Sequence, residues 1–289
     1  PAGKTDIDLT GIETISANMF AGTSLTNIVV PKTVKAIGEY AFAYSKHLQK
    51  VSFEEGSQLT SIGQYAFTET SALDTVDLAN ATKLQSISAY TFFGSGIKSV
   101  VIPATITQIG QYAFNQCKSL TSATIKGTVT METNVFESCK ALETVVFEQP
   151  ITAIADYTFK DCVSLKSVTV GEGLKTIGNS AFNSSGLTEF ALPKSVEIIQ
   201  NYAFQYCANL ATFTIPQDAK LHTINNNAFD FSGLTSIKLP ASLTLVGYTA
   251  FSNCPQLRLI EIAERTEVLR LYSGAFSNCT AATIYIPKL

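Results

Sequence analysis

Apolar residues along this chain follow two interleaved rhythms that repeat together. One is an alternating pair after a leucine, as in Leu120, Ala123 and Ile125; Leu165, Val168 and Val170; or Leu187, Phe190 and Leu192. Positions two apart point to one face of an extended chain. Each L-x-x-V-x-I phrase therefore predicts a short strand with the V and I side chains turned inward. Proline often follows, at Pro31, Pro103, Pro193, Pro216, Pro240 and Pro287. It removes a backbone donor and ends the pairing. The second rhythm is I-G-x-Y-A-F. It occurs twice as IGQYAF, at 62–67 and 109–114, with variants at 37–42, 154–159, 177–182 and 199–204.

The terminal phenylalanine sets the period. Phe20, Phe42, Phe67, Phe92, Phe114, Phe136, Phe159, Phe182, Phe204, Phe229, Phe251 and Phe276 are twelve markers spaced 22 to 25 residues apart. A period in this range is the mark of a solenoid of leucine-rich-repeat type. One copy cannot bury its own apolar face, whereas stacked copies make a continuous core. Each copy offers several large side chains, worth roughly 1.5–3 kcal/mol apiece when buried. The expected fold is a repeat solenoid with a parallel β-sheet on its concave side and short turns or 3₁₀/helical turns on its convex side. Y-A-F-x-x-C is read as one such helical or 3₁₀ turn. Gly38, Gly63, Gly110, Gly178 and Gly247 are expected to serve tight turns. The period runs unbroken, so residues 1–289 are expected to form a single solenoid domain of about twelve repeats. The strand-like C-terminal segment Ile284 to Pro287 carries no polar cap, which predicts a fragment of a longer protein.

Departures from the period mark places to look for function. Four intervals reach 25 residues, lengthened at 54–58, 79–83, 216–220 and 263–267. Gly127 to Asn134 fits the pattern least and predicts a local kink. On the strands, the residues flanking the inward V point outward. One column runs Thr75, Ser99, Ser122, Thr144, Ser167, and the next Asp77, Val101, Thr124, Val146, Thr169. Such a hydroxyl-rich face suits strand propensity alone. It also suits a broad partner-binding face of the kind solenoids present. Val101 and Val146 are apolar where water is expected. The candidate face is therefore Ser99, Val101, Ser122, Thr124, Thr144, Val146, Ser167 and Thr169.

Composition excludes more than it adds. A net charge of −3 and a pI near 5.5 leave no basic stripe for nucleic acid. No apolar run has the length of a membrane span. All six cysteines (Cys117, Cys139, Cys162, Cys207, Cys254, Cys279) stand three residues after a marker phenylalanine, where other copies hold Ser or Thr. A column exchanging Cys, Ser and Thr reads as small structural side chains. Disulfides are the alternative, disfavoured because side chains in one column point the same way. No C-x-x-C pair offers a zinc site. His47 and His222 lack partner ligands and read as surface residues. Tyr40, Tyr65, Tyr90, Tyr112, Tyr157 and Tyr202 form an outer stripe expected to pack ring on ring.

Other short matches are weak. Asp6 to Gly11 lacks the ligands of a calcium loop, and Gly171-Glu172-Gly173 lacks the third glycine of a dinucleotide fingerprint. Asn80, Asn183 and Asn278 head glycosylation sequons. No nucleophile–base set, metal or cofactor site stands out, so no catalytic activity and no cofactor are expected.

The full phrase I-G-x-Y-A-F-x-x-C-x-x-L-x-x-V-x-I-P resembles the BspA-like, or Treponema pallidum-type, leucine-rich repeat. Gly110 to Cys117 with Leu120, and Gly178 to Phe182 with Leu187 to Pro193, carry the likeness. The resemblance implies a curved solenoid at the cell surface or secreted, with an adhesin-like role toward host extracellular matrix or another cell. It brings no catalytic motif. The alternative is a glycan-binding accessory domain of a larger secreted protein. A monomer is expected.

Overall fold

The computed structural model describes residues 7–286. Pro287 and Asp6, cited above, lie outside the described residues. The chain forms two compact units, Pro1–Gln149 and Pro150–Leu289.

Every coil contributes one strand of two to four residues at the V-x-I phrase, called wide here, and one two-residue strand ending at the apolar residue before the turn phrase. In the first unit, Asn27–Val30, Lys50–Phe53 and Thr75–Val76 pair in parallel. Ser99–Ile102, Ser122–Ile125 and Thr144–Phe147 do the same, position for position. The narrow strands Thr14–Ile15, Ala36–Ile37 and Ser61–Ile62 make a second ladder, and Ser86–Ile87, Gln108–Ile109 and Thr130–Met131 a third. In the second unit the wide strands Glu189–Ala191, Thr212–Thr214, Ser236–Leu239, Leu259–Ile262 and Thr283–Tyr285 form one five-stranded parallel sheet. The narrow strands from Ala153–Ile154 to Arg270–Leu271 form a six-stranded one.

The marker phenylalanines are the spine of each unit. In the first, rings from Phe20 to Phe136 stack at centroid distances of 5.0–5.4 Å. In the second, rings from Phe159 to Phe276 stack at 4.9–5.4 Å. All from Phe42 to Phe251 are fully buried. Such packing of identical rings is available only because the copies are in register.

The Y-A-F-x-x-C segment forms short turns, and no helix occurs among the described residues. Two residues per coil have positive φ, two before and two after the phenylalanine. Tyr40 (φ 54°) and Tyr44 (φ 59°) flank Phe42, and Tyr202 and Tyr206, both at 59°, flank Phe204. A left-handed residue at every fourth position breaks any helix. The amides divide their work instead. Ala41 and Ala43 donate back within the turn, to Gly38 and Tyr40 carbonyls. Tyr40, Phe42 and Tyr44 donate to Gln64, Ala66 and Thr68 of the next coil at 3.1, 2.8 and 2.9 Å. The turn edge is thus hydrogen-bonded between coils as a sheet is, without strands.

The glycines of the turn phrase are not at positive φ, which corrects the tight-turn expectation. A Cβ on Gly38 would sit 2.5 Å from the Ala17 backbone nitrogen, and on Gly63 2.6 Å from that of Glu39. These glycines let one coil lie against the backbone of the coil before it. Gly127 to Asn134, where a kink is expected, stays in register with the preceding coil, and its short strand is the last of that ladder. Thr130 and Met131 pair with Gln108 and Ile109, and Val129 and Met131 are buried. The Glu132 carboxylate accepts from the Gln111 amide at 2.9 Å, so the altered sequence still docks on the coil before it.

Candidate functional site

Six of the eight candidate residues come together in the first unit. Ser99, Ser122 and Thr144 lie side by side across three strands, and so do Val101, Thr124 and Val146. The outward column is uneven. Val101 is 49% exposed, whereas Val146, Ser122 and Thr124 are half-buried. Val146 is thus less open than its column position predicts. Val29, in the same column, is 59% exposed and belongs to the feature although the sequence pattern did not single it out. Ser167 and Thr169 are exposed on the second unit.

Val101 lies at the lip of a depression of ≈ 290 Å³, with Thr75, Asp77, Pro103, Lys50 and Lys126 among its lining. Asp77 accepts from the Ala79 amide at 3.0 Å and is committed to that loop. Among the described residues, neither Lys50 nor Lys126 has an ion-pair partner. Nearby, Lys98 and Asp74 do pair, at 3.1 Å, and this holds the Asp74 carboxyl below its usual range. The depression therefore has an apolar lip, two lysines at its sides and the Asp77 carboxylate within its lining.

On the second unit, a depression of ≈ 370 Å³ is lined by Ser167, Thr169, Val168, Val170 and Glu189. Val168 and Val170 were expected to point into the core; both are half-exposed. The strand here ends at Thr169, so Val170 lies past the ladder.

The remaining candidates are absorbed by packing. All six cysteines are free thiols. The Cys139, Cys207 and Cys254 thiols donate to the carbonyls of Phe114, Phe182 and Phe229 one coil earlier, at 3.1, 3.0 and 3.2 Å. Ser45 donates to the Phe20 carbonyl in the same way, at 2.7 Å. The column thus requires a small donor, which explains why Cys and Ser exchange. Burial pushes the Cys207 and Cys254 thiols up to about 11, against a weaker opposing effect of hydrogen bonds from Ser185 and Ser232. These are not reactive thiolates.

Tyr40, Tyr65, Tyr90 and Tyr112 stack successively at 4.6–4.7 Å, as the stripe predicted. His47 is exposed, and His222 shares a 2.9 Å hydrogen bond with Thr223. No group of three potential metal ligands occurs among the described residues. Asp8 accepts from the Thr10 amide at 2.8 Å, a local turn. Asn183 is buried, while Asn80 and Asn278 are exposed. The lengthened loops lie against the preceding coil. Asn80 donates to the Phe53 carbonyl, and the Arg265 guanidinium donates to the carbonyls of Leu243 and Pro240.

Parallel ladders, a ring spine and a hydrogen-bonded turn edge define a leucine-rich-repeat solenoid of about twelve turns. The chain belongs to the family described as BspA type leucine rich repeat region, whose six-copy model matches residues 13–142, 85–211, 129–258 and 222–289. A leucine-rich repeat protein from Bacteroides ovatus is similar in structure, with a TM-score of 0.57 and 21% identity over 95% of this chain and 88% of that one. A leucine rich cell surface protein from Faecalibacterium prausnitzii matches over 91% of this chain and 86% of that one, with 23% identity and a TM-score of 0.44. The T. pallidum leucine rich repeat protein matches over 63% and 73%, with 21% identity and a TM-score of 0.41. No curated protein matches the chain. No helix among the described residues is long and apolar enough to cross a membrane.

Proposed function

We propose that this chain is a non-catalytic, adhesin-like interaction module at the cell surface or in the secreted fraction. It binds a protein of the host matrix or of a neighbouring cell through the strand face of its first unit. Membership of a repeat family supports this reading, because solenoids commonly present extended faces to partners. One observation carries it: Val101 stands 49% exposed at the lip of a depression flanked by the unpaired Lys50 and Lys126. A lone exposed valine needs no explanation. An exposed valine between two free cations fits a partner segment that carries an apolar side chain beside carboxylates.

The test is a binding screen of the purified chain against arrayed matrix proteins. The triple variant Val101→Lys, Thr124→Lys, Val146→Lys is compared with the unaltered chain. These positions face outward, so the variant is expected to fold and to lose the interaction. A variant that retains every interaction of the unaltered chain removes the strand face from consideration.

A further inference from the structure

The turn edge of the second unit carries a feature that the strand face does not. Two residues after each phenylalanine, four consecutive coils present Tyr206, Phe231, Asn253 and Asn278. All four have positive φ, between 53° and 59°. Asparagine tolerates that backbone; bulky aromatic residues do not favour it. Tyr206 and Phe231 are nevertheless 51% and 46% exposed, so burial does not offset the cost. Their rings stack at 5.2 Å with planes within 24° of each other, giving a two-ring platform open to water.

Beside the platform runs a chain of amides. The buried Asp230 carboxylate accepts from Asn253 Nδ2 at 2.9 Å, and Asn253 Oδ1 accepts from Asn278 Nδ2 at 2.8 Å. Each bond polarises the next, so the exposed Asn278 Oδ1 is a strengthened acceptor of fixed position. Gln256 adds an amide with no partner among the described residues. Rings, amides and Pro255 line a depression of ≈ 540 Å³. That volume lies within the roughly 300–1,000 Å³ of small-molecule sites. No charged side chain lines it.

We propose that this edge binds a neutral pyranose unit of a glycan. A pyranose has an apolar C–H face, which packs on the electron-rich face of an aromatic ring. Its rim of hydroxyls donates to and accepts from planar amides. A flat ring pair, an oriented acceptor, a free amide and an uncharged lining supply both halves of that recognition. The site lies within one unit and is independent of the strand face.

The experiment is saturation-transfer NMR of the full chain with maltotriose, cellotriose, galactobiose and triacetylchitotriose. The double variant Tyr206→Asn, Phe231→Asn keeps side chains suited to the left-handed backbone, so it folds, and thermal unfolding checks this. Tyr44→Asn removes a solitary exposed ring from the same column of the first unit and serves as the control. At least one probe is expected to receive saturation, with affinity reduced about tenfold or more in the double variant. Asn278→Ala is expected to weaken the same probe. The site is overturned if no probe receives saturation. It is equally overturned if the signal survives the double variant or falls as much in the control.

Discussion

The two units add aromatic residues to the same repeat in different columns. In the first, four tyrosines stack outside the coils, while Val100, Ala123 and Val145 occupy the first inward strand position of three successive coils. In the second, the inward strand positions hold Phe190 and Phe213. Their edges meet the spine, with Phe204 5.4 Å from Phe190 and 5.1 Å from Phe213. The outer column there has Ser180 and Asn227 where a tyrosine stack would continue. The coil closes in the same way in both. The repeat specifies register and spacing, and leaves open which columns carry the extra ring contacts.

The largest test of this contrast is in the spine. Phe204→Ala removes a ring with four aromatic neighbours, and Phe114→Ala a ring whose recorded ring contacts are two stacks. Denaturant unfolding is expected to record a loss of about 5 kcal/mol for the first and about 3 kcal/mol for the second. Equal losses would mean that the edge contacts of Phe190 and Phe213 add nothing. Next comes the outer ladder. Tyr65→Asn keeps a residue suited to φ 57° and removes two ring stacks. A loss of about 1–2 kcal/mol is expected, and Asn227→Tyr, with Tyr and Thr flanking it in the column, should gain nothing comparable. A neutral Tyr65→Asn would reduce the ladder to a consequence of spacing.

A further effect appears only in alkali. Cys207 and Cys254 ionise near 9 when unfolded and at about 11 when folded. The folded state holds their protons more tightly, so this stabilisation is complete below pH 9 and is lost as pH rises from 9 to 11. Replacing both by serine, which Ser45 shows can make the same bond, should flatten the alkaline fall in the unfolding midpoint. An unchanged fall would place its cause elsewhere.

Much of this was legible in the sequence because it rests on apolar spacing. The phenylalanine spine, the paired inward positions, the tyrosine stack and the thiol column all follow from the period. What escaped depends on backbone state and on contacts between coils. Tyrosine gives no propensity signal for left-handed φ, so the turn edge read as a helical turn. Gly38 and Gly63 suggested a bend, although what they permit is the approach of a neighbouring backbone. The strand columns turned Val101 outward, and it is exposed. The free Lys50 and Lys126 come from coils on either side, and sequence distance hides that they share one depression. Tyr206 and Phe231 were hidden for a similar reason: they are 25 residues apart, in a column whose other members are mostly small or polar.

The division of amides at the turn edge has a kinetic consequence. The Phe42 amide is held by Ala66 of the following coil, and the Ala43 amide by Tyr40 of its own turn. Neighbouring hydrogens along one short segment therefore exchange with solvent through different openings. One is released when two coils part, the other only when a single turn comes undone. Each coil carries its own pair of clocks, and their ratio distinguishes separation of the stack from local fraying.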